Sequence, residues 1–187
     1  MPVKLVILDR DGVINHDSPN YIKSLTEWQP IDGSINAIAV LLQAGYQVAV
    51  ATNQAGVPKG FIPEAELDAM HTRLRKLIHE ACGHEIAIYD CRHHPDEGCS
   101  CRKPRPGMLL AACRDHLLAP SDALFIGDSW SDIQAALAAG CQPLLVMTGN
   151  GTRTKARADF PPEVACIAKL SDLPDWLAGQ VSAEDMA

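Results

Sequence analysis

The chain lacks a long hydrophobic run and an excess of basic residues. A membrane-spanning helix needs about 20 consecutive apolar residues, and the apolar run near the start is also too short for a secretory signal. The 187 residues carry 16 Lys and Arg against 23 Asp and Glu, and only 5% are aromatic. A nucleic-acid-binding groove needs both basic and aromatic side chains. We therefore expect a cytoplasmic protein that binds small molecules and neither nucleic acid nor a membrane.

Short strand-like runs alternate with longer helix-like stretches. Apolar runs bounded by polar or turn residues predict buried strands at residues 3–8, 47–51, 86–89, 124–126 and 143–147. Amphipathic spacing predicts helices at residues 34–44, 63–81, 108–117 and 131–139. Such alternation requires crossover connections, so we predict an α/β fold with an open, doubly wound parallel sheet and helices on both faces.

The length favours one domain, which we place at residues 1–178, followed by a small, polar tail at residues 179–187 that we expect to be disordered. Three connections are longer than usual and follow the first three predicted strands: residues 15–32, 53–62 and 91–107. Because parallel strands end at a common edge, these loops are expected to overhang one ligand-binding site.

Two aspartates follow the first predicted strand. Asp9 and Asp11 stand in the segment Asp-Arg-Asp-Gly, where the chain leaves the sheet. A carboxylate can attack phosphorus to form an aspartyl-phosphate, and a second carboxylic acid can protonate the leaving alkoxide and later activate water. We therefore assign Asp9 as a nucleophile and Asp11 as a general acid and base. The alternative is that both carboxylates only cap a turn.

Four segments resemble, in their order along the chain, the motifs of the haloacid dehalogenase superfamily of phosphatases. They are Asp9-Arg10-Asp11-Gly12, Thr52-Asn53-Gln54, Arg102-Lys103-Pro104 and Gly127-Asp128-Ser129-Trp130-Ser131-Asp132. The resemblance implies a Rossmann-like fold and magnesium-dependent hydrolysis of a phosphate monoester through an aspartyl-phosphate.

The chemistry of these residues agrees with that resemblance. The hydroxyl of Thr52 can hold phosphoryl oxygens, and Lys103 can offset the phosphate charge and keep Asp9 ionised. Asp128 is expected to bind magnesium with Asp9 and the backbone carbonyl of Asp11, because Mg²⁺ takes a few protein oxygens together with water and phosphate.

The loop after the third strand concentrates metal ligands. Three of the seven cysteines and two histidines lie in the segment Cys91-Arg92-His93-His94-Pro95-Asp96-Glu97-Gly98-Cys99-Ser100-Cys101. Thiolates with an imidazole suit tetrahedral zinc. We predict a structural zinc site made of Cys91, Cys99, Cys101 and either His93 or His94. The alternative is a loop of reduced side chains without metal.

The zinc loop narrows the resemblance. The pattern Cys-x-His-His-Pro followed by Cys-x-Cys-Arg-Lys-Pro is similar to that of the D-glycero-D-manno-heptose-1,7-bisphosphate 7-phosphatases, which implies His93 as the fourth zinc ligand. It also implies a cytoplasmic monomer without a large cap domain that removes the C7 phosphate during synthesis of heptose precursors of the lipopolysaccharide core. Histidinol-phosphate phosphatases share these motifs and are the alternative. A catalytically silent phosphate- or metal-binding module is an alternative of another class.

The resemblance further assigns the residues that bind the sugar phosphate, which are Asp17, Asn20, Tyr21, Asn53, Gln54, Ala55, Arg102 and Lys103. The planar guanidinium of Arg102 suits a second phosphate or vicinal hydroxyls. The chain departs from the family at Ser129, where a lysine is common. Asp132 is expected to orient the metal's waters or Lys103, or to cap the helix that follows it.

Overall fold

One parallel sheet forms the centre of the computed structural model, which describes residues 3–184. Its six strands are β1 (Leu5–Leu8), β2 (Gln47–Asn53), β3 (Ala87–Cys91), β4 (Ala123–Gly127), β5 (Gln142–Val146) and β6 (Ala165–Ile167). They are arranged in the order β3-β2-β1-β4-β5-β6, and every neighbouring pair is parallel. The predicted doubly wound α/β fold is confirmed. The sixth strand was not predicted, because three residues at a sheet edge are too short to show a pattern.

Helices connect the strands and cover the sheet. They are α1 (Ser34–Gln43), α2 (Glu64–Cys82), α3 (Gly107–Asp115), α4 (Trp130–Ala139), α5 (Gly151–Lys155) and α6 (Leu173–Glu184), with short 3₁₀ turns at Pro95–Glu97, Pro120–Asp122 and Leu170–Asp172. The tail predicted for residues 179–187 overlaps α6 as far as Glu184, and its last three residues lie outside the described residues. Between residues 3 and 184, no helix has the length and apolar character of a membrane span.

The side chains of β1 alternate between two apolar layers. Val6 and Leu8 pack in a cluster with residues of α1, α2 and α6, whereas Leu5 and Ile7 pack in a second cluster with residues of α3 and α4. All four side chains are fully buried. A parallel strand covered on both faces needs apolar residues at every position, not at alternate ones. That requirement accounts for the uninterrupted run Leu-Val-Ile-Leu.

The strand order places the ends of three strands together. β1 lies between β2 and β4, with Leu8 in register with Val50 on one side and with Ile126 on the other. The chain runs outward from β1 to β3 and then returns to the opposite side of β1 as β4. Such a reversal opens a crevice at the carboxyl ends of the strands, where ligands of doubly wound sheets bind. The residues that follow β1, β2 and β4 therefore meet at one edge.

Candidate active site

Asp9 emerges from the end of β1 with one carboxylate oxygen engaged. Its Oδ1 accepts a hydrogen bond from the backbone N–H of Arg10 at 2.7 Å and lies 2.8 Å from Nζ of Lys103. Among residues 3–184, no group donates a hydrogen bond to Oδ2, so this oxygen is free to react. Burial raises the pKa of Asp9 well above its usual value, Lys103 opposes this effect, and Asp132 adds to it.

Lys103 is a buried cation shared by two carboxylates. Its Nζ lies 2.8 Å from Oδ1 of Asp9 and 2.7 Å from Oδ1 of Asp132, and it donates to the carbonyl of Ala51 at 3.0 Å. The ring of Phe125 lies beneath it, with its centroid 5.3 Å from Nζ. Burial lowers the pKa of Lys103, but the two carboxylates outweigh burial and hold the pKa above its ordinary value. The side chain therefore stays charged.

Asp11 is held as a carboxylate by three neighbours. Nε and Nη2 of Arg10 donate to its two oxygens at 3.0 Å each, and Asn15 and Gln54 donate to them at 2.9 and 3.0 Å. Burial raises the pKa of Asp11, but the guanidinium of Arg10 and these hydrogen bonds outweigh burial and lower it. Gln54 also donates to the hydroxyl of Thr52 at 2.9 Å, which ties the ends of β1 and β2 together.

Three buried carboxylates converge beside this cation. Asp9, Asp128 and Asp132 each present an oxygen within 4.8 Å of the others. Burial raises the pKa of Asp128 to about 6, and the charge of Asp132 acts in the same direction. Three carboxylates around one ammonium leave excess negative charge, and oxygen donors of this kind suit a divalent cation such as Mg²⁺. The predicted pair Asp9 and Asp128 is thus brought together.

Asp132 and Ser129 are hydrogen-bonded to each other. Oδ2 of Asp132 accepts from the backbone N–H of Ser129 at 2.9 Å and from its hydroxyl at 2.6 Å, while Oδ1 pairs with Lys103. This reciprocal contact is a capping box at the start of α4. Asp132 therefore both caps a helix and orients Lys103, and the two expected roles are not exclusive. Ser129 serves the fold where the family commonly has a cation.

A support for Asp128 was not recognised in the sequence. The loop after β5 contributes Asn150, whose backbone N–H donates to Oδ2 of Asp128 at 2.7 Å. Thr154 donates to the backbone carbonyl of Asp128 at 2.8 Å, and Thr148 donates to the carbonyl of Gly12 at 2.6 Å. A Cβ at Gly12 would lie 2.3 Å from Oδ2 of Asp128, at a φ of +84° that favours glycine. The available signal was a Thr-Gly-Asn-Gly segment directly after a predicted strand.

The carboxylates line a cavity of about 270 Å³ at the crevice. Of the predicted catalytic, magnesium and substrate residues, this cavity contains Asp9, Asp11, Asp17, Tyr21, Thr52, Asn53, Gln54, Ala55, Arg102, Lys103 and Asp128. Asn20 does not line it and instead borders a neighbouring cavity of about 150 Å³. Lys59 and Ser18 also line the main cavity and were not assigned to it from the sequence.

Two predicted substrate residues have distinct local environments. The side-chain amide of Asn53 donates to the backbone carbonyl of Lys103 at 3.1 Å and accepts from its N–H at 3.0 Å, so Asn53 positions the lysine. Nη1 of Arg102 is buried and has no hydrogen-bond partner among the described residues. A buried donor without an acceptor is costly, and a substrate anion would satisfy it.

The thiol loop forms a compact four-donor cluster. Donor atoms of Cys91, His93, Cys99 and Cys101 all lie within 4.8 Å of one another. The three Sγ–Sγ separations are 3.3, 3.5 and 3.6 Å, close to the roughly 3.7 Å edge of a tetrahedron with metal–sulfur bonds of about 2.3 Å. The ring of His94 instead turns to Asp96, with Nδ1 3.3 Å from Oδ2. This donor set fits one tetrahedral metal ion, and its imidazole is that of His93.

Comparison with known proteins agrees with the fold and the site. The HAD-hydrolase-like family profile matches residues 100–173. A D-glycero-beta-D-manno-heptose-1,7-bisphosphate 7-phosphatase from Pseudomonas putida is 57% identical over 152 residues, which cover 81% of this chain and 87% of the relative. The crystal structure of D,D-heptose 1,7-bisphosphate phosphatase from Bordetella bronchiseptica, complexed with magnesium and phosphate, superposes with a TM-score of 0.90 and 42% identity. The two chains are covered to 95% and 99%.

The structure of the corresponding enzyme from Burkholderia thailandensis has a TM-score of 0.71 and 36% identity, and covers 94% of this chain. Fold, site and relatives together define a phosphatase of the haloacid dehalogenase-like class. Within that class, the chain belongs to the D-glycero-D-manno-heptose-1,7-bisphosphate 7-phosphatase family. The family predicted from the sequence motifs is confirmed.

We expect Mg²⁺ to raise the melting temperature more at about pH 7.5 than at about pH 5. The folded protein raises the pKa of Asp128 to about 6, above the value of about 3.9 in an unfolded chain. Protein without Mg²⁺ therefore loses stability as the pH rises from about 4 to about 6. Magnesium removes this penalty at the higher pH, whereas protons compete with it at the lower pH. Thermal unfolding with MgCl₂, against NaCl of equal ionic strength, measures the difference. An equal rise at both pH values contradicts the expectation.

Proposed function

We propose that the protein hydrolyses the C7 phosphate of D-glycero-D-manno-heptose 1,7-bisphosphate, with Asp9 as a covalent nucleophile. The observation that carries the proposal is the free Oδ2 of Asp9 at the floor of a polar cavity, beside a buried lysine and a second metal-binding carboxylate. The names of the relatives at 57% and 45% identity supply the substrate. In this proposal, residues 1–178 form one cytoplasmic, monomeric phosphatase domain.

In the first step, Oδ2 of Asp9 forms a bond to phosphorus as the bond between phosphorus and the C7 oxygen breaks. Asp11, protonated at this stage, gives its proton to that oxygen, and the sugar leaves as an alcohol. The hydroxyl of Thr52 holds a phosphoryl oxygen during transfer. Asp9, Asp128 and the backbone carbonyl of Asp11 would hold a magnesium ion, which when bound would offset the negative charge of the phosphoryl group and keep Asp9 ionised.

In the second step, water attacks phosphorus and the bond to Oδ2 of Asp9 breaks, which releases inorganic phosphate. The carboxylate of Asp11 takes the proton from that water. Because the free protein holds Asp11 as a carboxylate, this proton passes to solvent after the phosphate leaves, and Asp11 takes up a proton again when the anionic substrate binds. The contacts of Arg10 with Asp11 support this role, because they stabilise the carboxylate form that the second step requires.

The distal end of the substrate is assigned to the overhanging loops. The orphan Nη1 of Arg102 supports binding of a second phosphate, because a guanidinium offers paired donors to phosphate oxygens. Tyr21 lines the same cavity as Arg102. Its ring stacks on Phe61 with centroids 5.4 Å apart, and its hydroxyl accepts from Lys59 at 3.1 Å. Asp17 and Asn20, in the same loop as Tyr21, are proposed to contact the sugar.

We further propose that Cys91, His93, Cys99 and Cys101 bind a structural zinc ion. Their cluster directly precedes Arg102 and Lys103 in the chain, so a closed metal site restricts the loop that carries both cations. The near-tetrahedral spacing of the thiols supports zinc as the metal.

Asp9→Asn is expected to lower kcat at least about a hundredfold, roughly 2.7 kcal/mol or more in the barrier, because an amide cannot attack phosphorus. The melting temperature should change little, since the amide keeps the shape of the side chain. Steady-state release of phosphate and thermal unfolding measure both effects. Asp159→Asn, a change at a half-exposed surface carboxylate, is the matched control. A variant with more than about a hundredth of native activity contradicts the nucleophile assignment.

Cys99→Ser combined with Cys101→Ser is expected to remove bound zinc and to lower the melting temperature and activity together. Elemental analysis of the native protein and the variant gives the zinc content. Cys82→Ser is the control, because Cys82 lies at the end of α2, outside the thiol cluster, and its thiol donates to the carbonyl of Ile78, which a serine hydroxyl can also do. Native protein without zinc, or a double variant with full activity, rules out the structural metal.

Heptose 1,7-bisphosphate is expected to exceed histidinol phosphate in kcat/KM by at least about tenfold, or roughly 1.4 kcal/mol, because Arg102 gains a second anionic partner only with the bisphosphate. Arg102→Ala should reduce the ratio of the two kcat/KM values, mainly by lowering kcat/KM for the bisphosphate. Arg114→Ala, at a side chain that is 76% exposed, should leave it unchanged. Equal or better turnover of histidinol phosphate favours the histidinol-phosphate phosphatase, and no turnover of either favours the silent module.

A further inference from the structure

The side-chain amide of Asn150 is shared between two carboxylates of different function. Its Nδ2 donates to Oδ2 of Asp128 and to Oδ2 of Asp17, at 3.1 Å each. Its Oδ1 accepts from Nη2 of Arg153 at 2.8 Å. An amide has two N–H donors, so each carboxylate receives one, and the guanidinium on the other side fixes which end of the amide carries the oxygen.

These contacts determine which oxygen of Asp128 faces a metal. Oδ2 accepts both the backbone N–H and the side chain of Asn150, whereas Oδ1 has no hydrogen-bond donor within the described part of the chain. The carboxylate also has little room to turn, because a Cβ at Gly12 or Gly149 would lie 2.3 or 2.2 Å from Oδ2. Hydrogen bonds to the distal oxygen of a ligand orient it and commonly govern metal affinity by one to two orders of magnitude.

The same amide anchors the loop above the cavity. Asp17 belongs to the long connection after β1, is exposed and lines the cavity. Its Oδ1 accepts only from the next residue, Ser18, at 2.7 Å, so the contact of Oδ2 with Asn150 is the one that joins its side chain to a distant part of the chain. The position of Asp17 above the metal site is therefore set through Asn150.

We propose that Asn150 is a positioning residue that couples the magnesium carboxylate of Asp128 to Asp17 in the substrate loop. The residue type fits the role: a carboxylate at this position would face two like charges, and a longer amide would not reach both partners from the same backbone position. The inference deepens the proposed function and rests on it, since it assumes that Asp128 binds magnesium and that Asp17 contacts the sugar.

The test is Asn150→Ala, measured first by calorimetric titration of MgCl₂ into protein that has been freed of Mg²⁺ but keeps the metal of the thiol cluster. The Kd for Mg²⁺ is expected to rise about tenfold. Turnover of heptose 1,7-bisphosphate then separates the contact of Asn150 with Asp128 from its contact with Asp17. Saturating Mg²⁺ should restore kcat. The KM for the substrate should stay several-fold raised, because the hydrogen bond to Asp17 is missing at every metal concentration. Thr152 is an exposed residue of α5, the short helix that begins directly after Asn150. Thr152→Ala should match the native protein in both Kd for Mg²⁺ and KM.

An unchanged Kd and KM in Asn150→Ala overturns the inference and leaves the proposed function standing, whereas native protein that binds no Mg²⁺ overturns both. A lower melting temperature together with a kcat that Mg²⁺ does not restore indicates a purely structural role and also overturns the inference. If Asn150→Ala does not fold, Arg153→Met is used, because it removes only the donor that orients the amide. It should shift Kd and KM in the same directions by a smaller factor, and native values in that variant count against the coupling.

Discussion

The active site depends on one buried ammonium group. Nζ of Lys103 pairs with Asp9 and Asp132 and donates to a carbonyl of β2. Without Lys103, the carboxylates at this edge would be buried with no positive charge between them. Their mutual repulsion would then be strong, because the surroundings have a low dielectric constant. One cation compensates only part of the charge of Asp9, Asp128 and Asp132. The remainder is the charge that a divalent cation neutralises, so metal binding completes the electrostatic balance that folding leaves open.

The position of that ammonium group depends on the loop between β3 and α3, which carries Lys103 to the end of β1. Lys103 follows the thiol cluster in the chain and is tied to β2 by the two hydrogen bonds of Asn53. The connection from β3 to α3 has little regular structure of its own apart from one 3₁₀ turn. The thiol cluster and the amide of Asn53 therefore position Lys103, as a helix or strand positions Asp9 and Asp128. A metal ion bound by the cluster, as we propose, would act on this loop without touching the substrate.

A phosphatase without a large cap domain must build selectivity from loops. In this chain, residues around the carboxylate of Asp128 contact the loop after β1. The carboxylate of Asp128 is packed against Gly12 and Gly149, and Asn150 reaches from it to Asp17. Ser129, where relatives commonly have a lysine, is used to hold Asp132. Arg102 lines the same cavity as Asp128, and its Nη1 is a buried donor without a partner among the described residues.

Local sequence was sufficient to predict the α/β alternation and the parallel sheet, because buried strands and turn residues are encoded within a few neighbouring positions. It also indicated which carboxylates follow the strands, and their chemical roles stay predictions. It did not reveal β6 and α5, which are too short to show periodicity, or the helix that overlaps the predicted tail. Spacing alone did not distinguish His93 from His94; the family resemblance implied His93, and the tertiary structure brings that imidazole to the thiols. Only the tertiary structure revealed the support of Asp128 by Asn150. The contact of Thr148 with Gly12 spans 136 positions. Partners so far apart are brought together by the strand order, in which β5 lies beside β4 and β4 lies beside β1, and no local pattern records that order.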